Sequence, residues 1–172
     1  MRLSHHIYYT RLSLFLSLFL FPSLAQAATY TNPLYNYNGH LITQTFTKAN
    51  SPYLLPTGCA TNTLDRGQTL TIEPGAVIKF AVPRVCGWWG GPLPGNLIIY
   101  GNLIAQGTQT DPIIFTAWED DTAGGDTNND GSATAPQPYA WGKMQFGSQA
   151  ASSTINLDYV HFNYGGELKF YA

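Results

Sequence analysis

The chain has 172 residues and a formal charge of −2, with 10% charged residues against 14% aromatic. That length holds one domain with a real core. The acidic balance argues against nucleic-acid binding, which wants a basic face, and sparse charge beside abundant Gly, Thr, Asn and Tyr points to an extracellular β protein rather than a cytosolic helical one.

Residues 1–27 predict a signal peptide. Arg2 and Arg11 make a positive leader, and "LSLFLSLFLF" (Leu12 to Phe21) is an apolar run of ten residues, too short to span a bilayer as a helix. Ala25-Gln26-Ala27 follows as a small-x-small cleavage site. The rival reading is an uncleaved anchor, which the short run and the adjoining cleavage pattern disfavour. No cysteine stands at the cleavage point, which disfavours a lipoprotein. Cleavage after Ala27 leaves six Lys and Arg against ten Asp and Glu, a net charge of about −4. The expected location is secreted, extracellular or cell-surface, with the periplasm as an alternative and no transmembrane segment after cleavage.

Residues 28–66 are irregular and are expected to form an N-terminal capping region. Short β-type runs, Leu41 to Phe46 and Tyr53 to Leu55, alternate there with Asn, Pro and Gly breakers. Cys59 lies in this region and Cys86 beyond it. In an exported chain an even pair predicts a disulfide, and closing this loop of 28 residues would stabilise the fold by roughly 3–4 kcal/mol. Two free thiols or a metal pair are the alternatives, though neither cysteine has a CxxC partner or a nearby histidine.

From Gln68 the texture changes. "TLTIEPGAVIKF" places Leu70, Ile72, Val77 and Ile78 around Pro74-Gly75, and "NLIIYGNLIAQGT" places Leu97, Ile99, Leu103 and Ile104 around Gly101-Asn102. Leu70 and Leu97 are 27 apart, as are Ile72 and Ile99, while Gly75 and Gly101 are 26 apart. The two stretches read as copies of one unit: strand, tight turn, strand. "PIIFTA", "WGKMQFGS" and "TINLDYVHFNYGG" supply further strands. Glycine and proline interrupt every window long enough for a helix. Short strands at this superperiod leave two all-β architectures. The repeat favours a parallel β-helix over residues 67–172, whose coils bury one side of each strand in a continuous column; a β-sandwich is the alternative.

In order, "LTIEPGAVIKF", "LIIYGNLIAQGTQTDPIIFTA", "DDTAGGDTNNDG", "WGKMQF" and "LDYVHFNYGG" resemble secreted bacterial right-handed parallel β-helix proteins, a group related in fold to the pectin lyases. The resemblance runs from about Ile42 to Gly166 and is specific to the group rather than to one activity. It implies a right-handed solenoid with surface or carbohydrate-related roles. The chain departs from the group by stopping at Ala172, just as "ELKFYA" opens another strand. A fragment, a truncated reading frame, or a short member needing cover for its open end is therefore expected. An uncovered end is an exposed sheet edge.

The stretch from Glu119 to Ala140 predicts a long acidic insertion loop. Asp126-Thr-Asn128-Asn-Asp130-Gly131 fits D-x-[DN]-x-[DN]-G, the first half of a calcium loop. Oxygen-bearing side chains at alternate positions can converge on a hard cation, and the glycine permits a sharp turn. The twelfth position is Gln137 rather than the bidentate glutamate of an EF-hand, and no helices flank the loop, so an EF-hand is rejected. Asp120 and Asp121 could complete the shell. Five of the ten acids after Ala27 fall between Glu119 and Asp130 with no Lys or Arg among them, so the cluster would repel itself without a cation. The predicted ligands of a structural calcium ion are Asp120, Asp121, Asp126, Asn128 and Asp130. A solvated Asx-rich turn is the alternative.

Trp88 and Trp89, in "CGWWGGPLPG", are candidates for stacking on sugars of an extracellular polysaccharide or cell-surface glycan, or else cover an apolar edge of the coil. Trp118 and Trp141 flank the acidic loop and are expected to pin its ends to the core. The resemblance implies that an enzyme on this fold would act as a lyase, with calcium acidifying a uronate and a Lys or Arg as base. Lys79 and Lys143 are the candidates, yet nothing in the sequence pairs them with the loop, and Lys79 is expected to solvate an outward face. A glycosidase needs two opposed carboxylates. Glu73, Asp158 and Glu167 qualify only because few others exist, and Glu73, before Pro-Gly, reads as a turn residue. His40 and His161 are isolated, and His161 is expected to point outward. The expectation is therefore a non-catalytic structural or adhesive module, with carbohydrate binding or a fragment of a polysaccharide lyase or hydrolase as alternatives.

Overall fold

The computed structural model describes residues 28–56, 61–81, 84–85, 92–147 and 153–171. Short β-favouring runs alternate with corners of Gly, Pro, Asn and Asp, and the chain uses each corner to turn onto the next side of a three-sided coil. The first coil carries β1 (Gln44–Phe46), β2 (Tyr53–Leu55) and β3 (Asn62–Leu64). The second carries β4 (Thr69–Ile72), β5 (Val77–Phe80), a small antiparallel insert of β6 (Arg84–Val85) and β7 (Pro92–Leu93), then β8 (Leu97–Ile99). The third holds β9 (Asn102–Gln106), β10 (Ile113–Ala117) and β11 (Trp141–Phe146). The fourth holds β12 (Ile155–Asp158), β13 (Val160–Phe162) and β14 (Gly165–Phe170).

Strands of successive coils pair in parallel to give three sheets of four, β1-β4-β9-β12, β2-β5-β10-β13 and β3-β8-β11-β14. The chain is thus a short right-handed parallel β-helix, and the all-parallel pairing excludes the β-sandwich. In-register stacking builds the core. Phe46, Ile72, Ala105 and Leu157 form one interior row; Tyr53, Ile78, Phe115 and Phe162 form another; Leu64, Ile99, Phe146 and Phe170 form a third. Rings stack between layers, Phe146 on Phe170 at 4.6 Å and Phe115 on Phe162 at 5.3 Å. Each fully buried Leu, Ile or Phe contributes roughly 1.5–3 kcal/mol of transfer free energy.

The 27-residue spacing is not the coil repeat. Leu97 and Ile99 belong to the third sheet, beside Asn62 and Leu64, whereas Leu70 and Ile72 belong to the first, beside Leu103 and Ala105. Equivalent positions lie 26 residues apart from Gln44 to Leu70 and 33 apart from Leu70 to Leu103, because corner insertions lengthen the later coils. Gly75 and Gly101 accordingly occupy different corners. Gly75 adopts φ +78° and donates its N–H to Asp111 O. At Gly101 a Cβ would run into the carbonyl oxygens of Asp65 and Gln68 in the coil below.

Coiling starts at Gln44, inside the segment expected to be a cap. The residues before it close that end of the column. Leu41, fully buried, bridges in parallel to Leu64, and Thr31 bridges to Tyr53. The Tyr35 hydroxyl donates to Asn62 Oδ1 at 2.8 Å, and burial pushes its pKa well above the ordinary tyrosine value. Among the described residues no helix is long and apolar enough to cross a membrane.

Candidate metal centre

On β5 the strand alternation sends Ile78 and Phe80 inward and Val77 and Lys79 outward. Lys79 sits in an outward row with Leu54 and Thr116 of the neighbouring strands. An outward row should be wet, yet Lys79 and Thr116 are 0% exposed. The cover is the acidic insertion, which follows β10 and folds back over this sheet. Gly124, at φ +72°, lies against Pro52 and Val77, where a Cβ would approach Pro52 Cβ to 3.0 Å.

Lys79 is therefore not the solvated side chain that its sequence context suggests. Its ammonium has three protons, and it donates to Gly125 O at 2.7 Å, Asp120 O at 2.9 Å and Thr127 Oγ1 at 2.9 Å. Thr127 passes the chain on by donating to Trp118 O. Burial lowers the Lys79 pKa, and the nearby charges of Asp120, Asp121, Asp126 and Glu119 oppose that shift. The coil thus supplies the cation that the loop's own sequence lacks. Asp120 belongs to this anchor: it is buried, Oδ2 accepts from Thr116 Oγ1 at 2.6 Å, and Oδ1 accepts from Thr122 N at 3.1 Å.

The outer part of the loop gathers the remaining carboxylates. Asp121, Asp126 and Asp130 each bring one oxygen into a group whose members all lie within 4.8 Å of one another. The turn that aligns them is local. Asp126 accepts from Asp130 N at 3.1 Å and from Gly131 N at 2.9 Å, and Gly131 has φ +66°. Asp130 accepts from Ser132 N and Ala133 N, both at 3.0 Å, and from Thr134. The Thr134 hydroxyl, ahead of these backbone amides, holds the Asp130 pKa below its ordinary value. Two oxygens here are buried without a hydrogen-bond partner, Asp121 Oδ1 and Asn128 Oδ1. Buried acceptors are ordinarily satisfied, and an orphan in such a place is accounted for by a water or an ion. The donor set is all oxygen and fits a hard cation. This Asp triad could hold a metal ion.

Burial first, then the charges of Asp126 and Asp130, raises the Asp121 pKa. For a carboxyl raised on folding, the folded state keeps its proton at pH values where the unfolded state has lost it. This group's contribution therefore favours folding as pH falls through that window and costs stability above it. Asp121→Asn is expected to stabilise the metal-free chain by roughly 0.5 kcal/mol, raising its midpoint, while weakening the response to added cation. A lower metal-free midpoint, read by thermal unfolding in chelator, would contradict the repulsion.

Of the other candidates, Cys59, Cys86, Trp88 and Trp89 lie outside the described residues. Trp118 is half-buried and meets Tyr30 edge-on at 5.4 Å. Trp141 enters the core, stacked on Phe80 at 4.3 Å. His40 is not isolated, since its Nδ1 lies 2.8 Å from Asp65 Oδ2. His161 is exposed, and Glu73 sits at an exposed corner, accepting from Lys48 N. No protein family, curated protein or solved structure matches the chain. The parallel β-helix consequently stands on its strand pairing alone.

Proposed function

We propose that the chain is a secreted or cell-surface β-helix module with a non-catalytic structural or adhesive role, whose insertion loop is locked by a structural calcium ion. The observation that carries this reading is the Asp121, Asp126 and Asp130 group with the orphaned oxygens of Asp121 and Asn128. Calcium suits it better than magnesium, which demands near-ideal octahedral geometry and keeps several waters. Bound there, the ion would neutralise the mutual repulsion and tie Asp121, at the anchored start of the loop, to the turn at Asp126–Asp130. Calorimetric titration should find one calcium per chain, with weaker magnesium binding and loss of the site in Asp126→Ala/Asp130→Ala. No binding of calcium at millimolar concentration would sink the reading.

Carbohydrate binding is the second reading, favoured by a groove of about 510 Å³ on the third sheet. Pro94, Asn96, Lys143 and Tyr139 line it, and Tyr139 is 75% exposed with φ +65°. A sparsely populated backbone conformation that presents a flat ring suits stacking on a sugar. Trp88 and Trp89 precede Pro94 closely in sequence. Glycan-array binding lost in both Tyr139→Ala and Trp88→Ala/Trp89→Ala would support this reading, and an array without a hit would remove it.

A further inference from the structure

Ala28 is held by the acidic loop. Its backbone N–H donates to Asp126 O at 2.8 Å. Its side chain lies against Gly125, where an added Cβ would meet Ala28 Cβ at 3.1 Å. The neighbouring carbonyl, Gly125 O, is the one that takes Lys79 Nζ at 2.7 Å. Ala28 and Lys79 thus hold successive carbonyls of the loop, and Asp126 is itself a member of the carboxylate group with Asp121 and Asp130.

Ala28 is also the residue that follows the Ala25-Gln26-Ala27 cleavage pattern. Hydrolysis of the Ala27–Ala28 bond consumes one water. Ala27 leaves as a carboxylate with the leader, and the nitrogen stays on Ala28 as an α-amine, protonated at neutral pH. One amide proton becomes three ammonium protons and a positive charge, on an atom already seated on the loop.

We propose that removal of the leader supplies the acidic loop with a second cation, the α-ammonium of Ala28, so that the loop reaches its full stability only in the processed chain. The inference rests on the cleaved leader of the secreted reading and is independent of calcium. Five acids lie between Glu119 and Asp130, and Lys79 is the cation that this segment bonds before cleavage. The precursor makes the bond to Asp126 O through an ordinary amide, and processing adds charge at the same atom. That charge arrives beside a cluster in which Asp121 Oδ1 is buried without a partner.

The test uses protein recovered from an exporting host, whose N-terminal sequence should begin at Ala28. Acetylating the α-amine in denaturant near neutral pH, where it reacts ahead of the lysines, restores an amide N–H without the charge, as in the precursor. After refolding in chelator, the acetylated chain should melt about 2–4 °C below the free-amine chain. In Asp126→Asn/Asp130→Asn the acetyl group should cost less than half as much, because the carboxylates that the charge serves are gone. A first residue other than Ala28, equal midpoints in chelator, or an undiminished drop in the double variant would overturn the proposal. Every midpoint is taken without metal, so a failed calcium titration leaves this test standing, whereas an uncleaved exported chain removes the cleaved leader together with the proposal.

Discussion

Lys79→Met is expected to destabilise the chain by about 3–5 kcal/mol, the usual cost of removing one partner from a buried charged network. Methionine keeps the aliphatic stem and its packing under the loop, so the loss isolates the ammonium. Asp120 O would be left buried and Gly125 O half-buried without their donor, and a buried orphan carries a desolvation penalty of roughly 1–3 kcal/mol. Asp120, Asp121, Asp126 and Glu119 would lose the positive charge nearest to them. The variant should also change the pH profile. Burial lowers the Lys79 pKa in the folded chain, so at alkaline pH, between the folded and unfolded values, the unfolded state binds more protons. This residue's contribution then makes stability rise with pH across that window, and has no slope below both values. Lys79→Met should lose that alkaline slope, and limited proteolysis should cut between 119 and 130 in the variant before the parent. A loss of unfolding free energy below about 1 kcal/mol would contradict a fully engaged ammonium.

A comparable loss, about 3–5 kcal/mol, is expected for Trp141→Ala. Trp141 is 1% exposed and joins three coils. Its ring stacks at 11° on Phe80 of the second coil, and Nε1 donates to Asn163 O of the fourth at 2.7 Å. Gly165 lies beside the ring, where an added Cβ would enter the indole. Trp141→Phe keeps the stacking and loses the hydrogen bond, so it should cost nearer 1 kcal/mol beyond the volume lost. Hydrogen exchange should show the alanine variant opening first between 153 and 171, because the fourth coil rests on this residue. With total stabilities of order 5–15 kcal/mol, either Lys79→Met or Trp141→Ala removes a large share. An exchange pattern unchanged across the fourth coil would contradict the role given to Trp141.

Much of the fold is legible because its signals are local. Leu70 and Ile72 alternate with polar neighbours, Leu97-Ile98-Ile99 is a short apolar run, and both stretches end at Gly or Pro corners, which marks short strands whatever their pairing. The coil period is not legible. Every side of the triangle is built from the same strand-and-corner unit, so Leu97 resembles the partner of Leu70 while stacking in another sheet. Insertions before β8 and β11 then mask the true spacing. The turn of Asp126, Asn128 and Asp130 is readable for the same local reason, its bonds spanning five residues or fewer. Lys79 escapes because its partners lie 41 to 48 residues away, and one lysine on a strand reads as solvated. Two signals pointed to it. Val77, two residues before Lys79, is apolar on the same outward face, which implies a covered sheet; and five acids without a neighbouring base imply a cation from elsewhere.

The most direct measurement is thermal unfolding followed by circular dichroism, in millimolar calcium and then in chelator. With free calcium at a hundred times the dissociation constant, binding to the folded state alone adds about 2.7 kcal/mol, several degrees in the midpoint. The expected result is a cooperative β-type transition raised by calcium, with the rise abolished in Asp126→Ala/Asp130→Ala. A cooperative transition with the same midpoint in calcium and in chelator would contradict the calcium site and reduce "DTNNDG" to a turn held by its own hydrogen bonds.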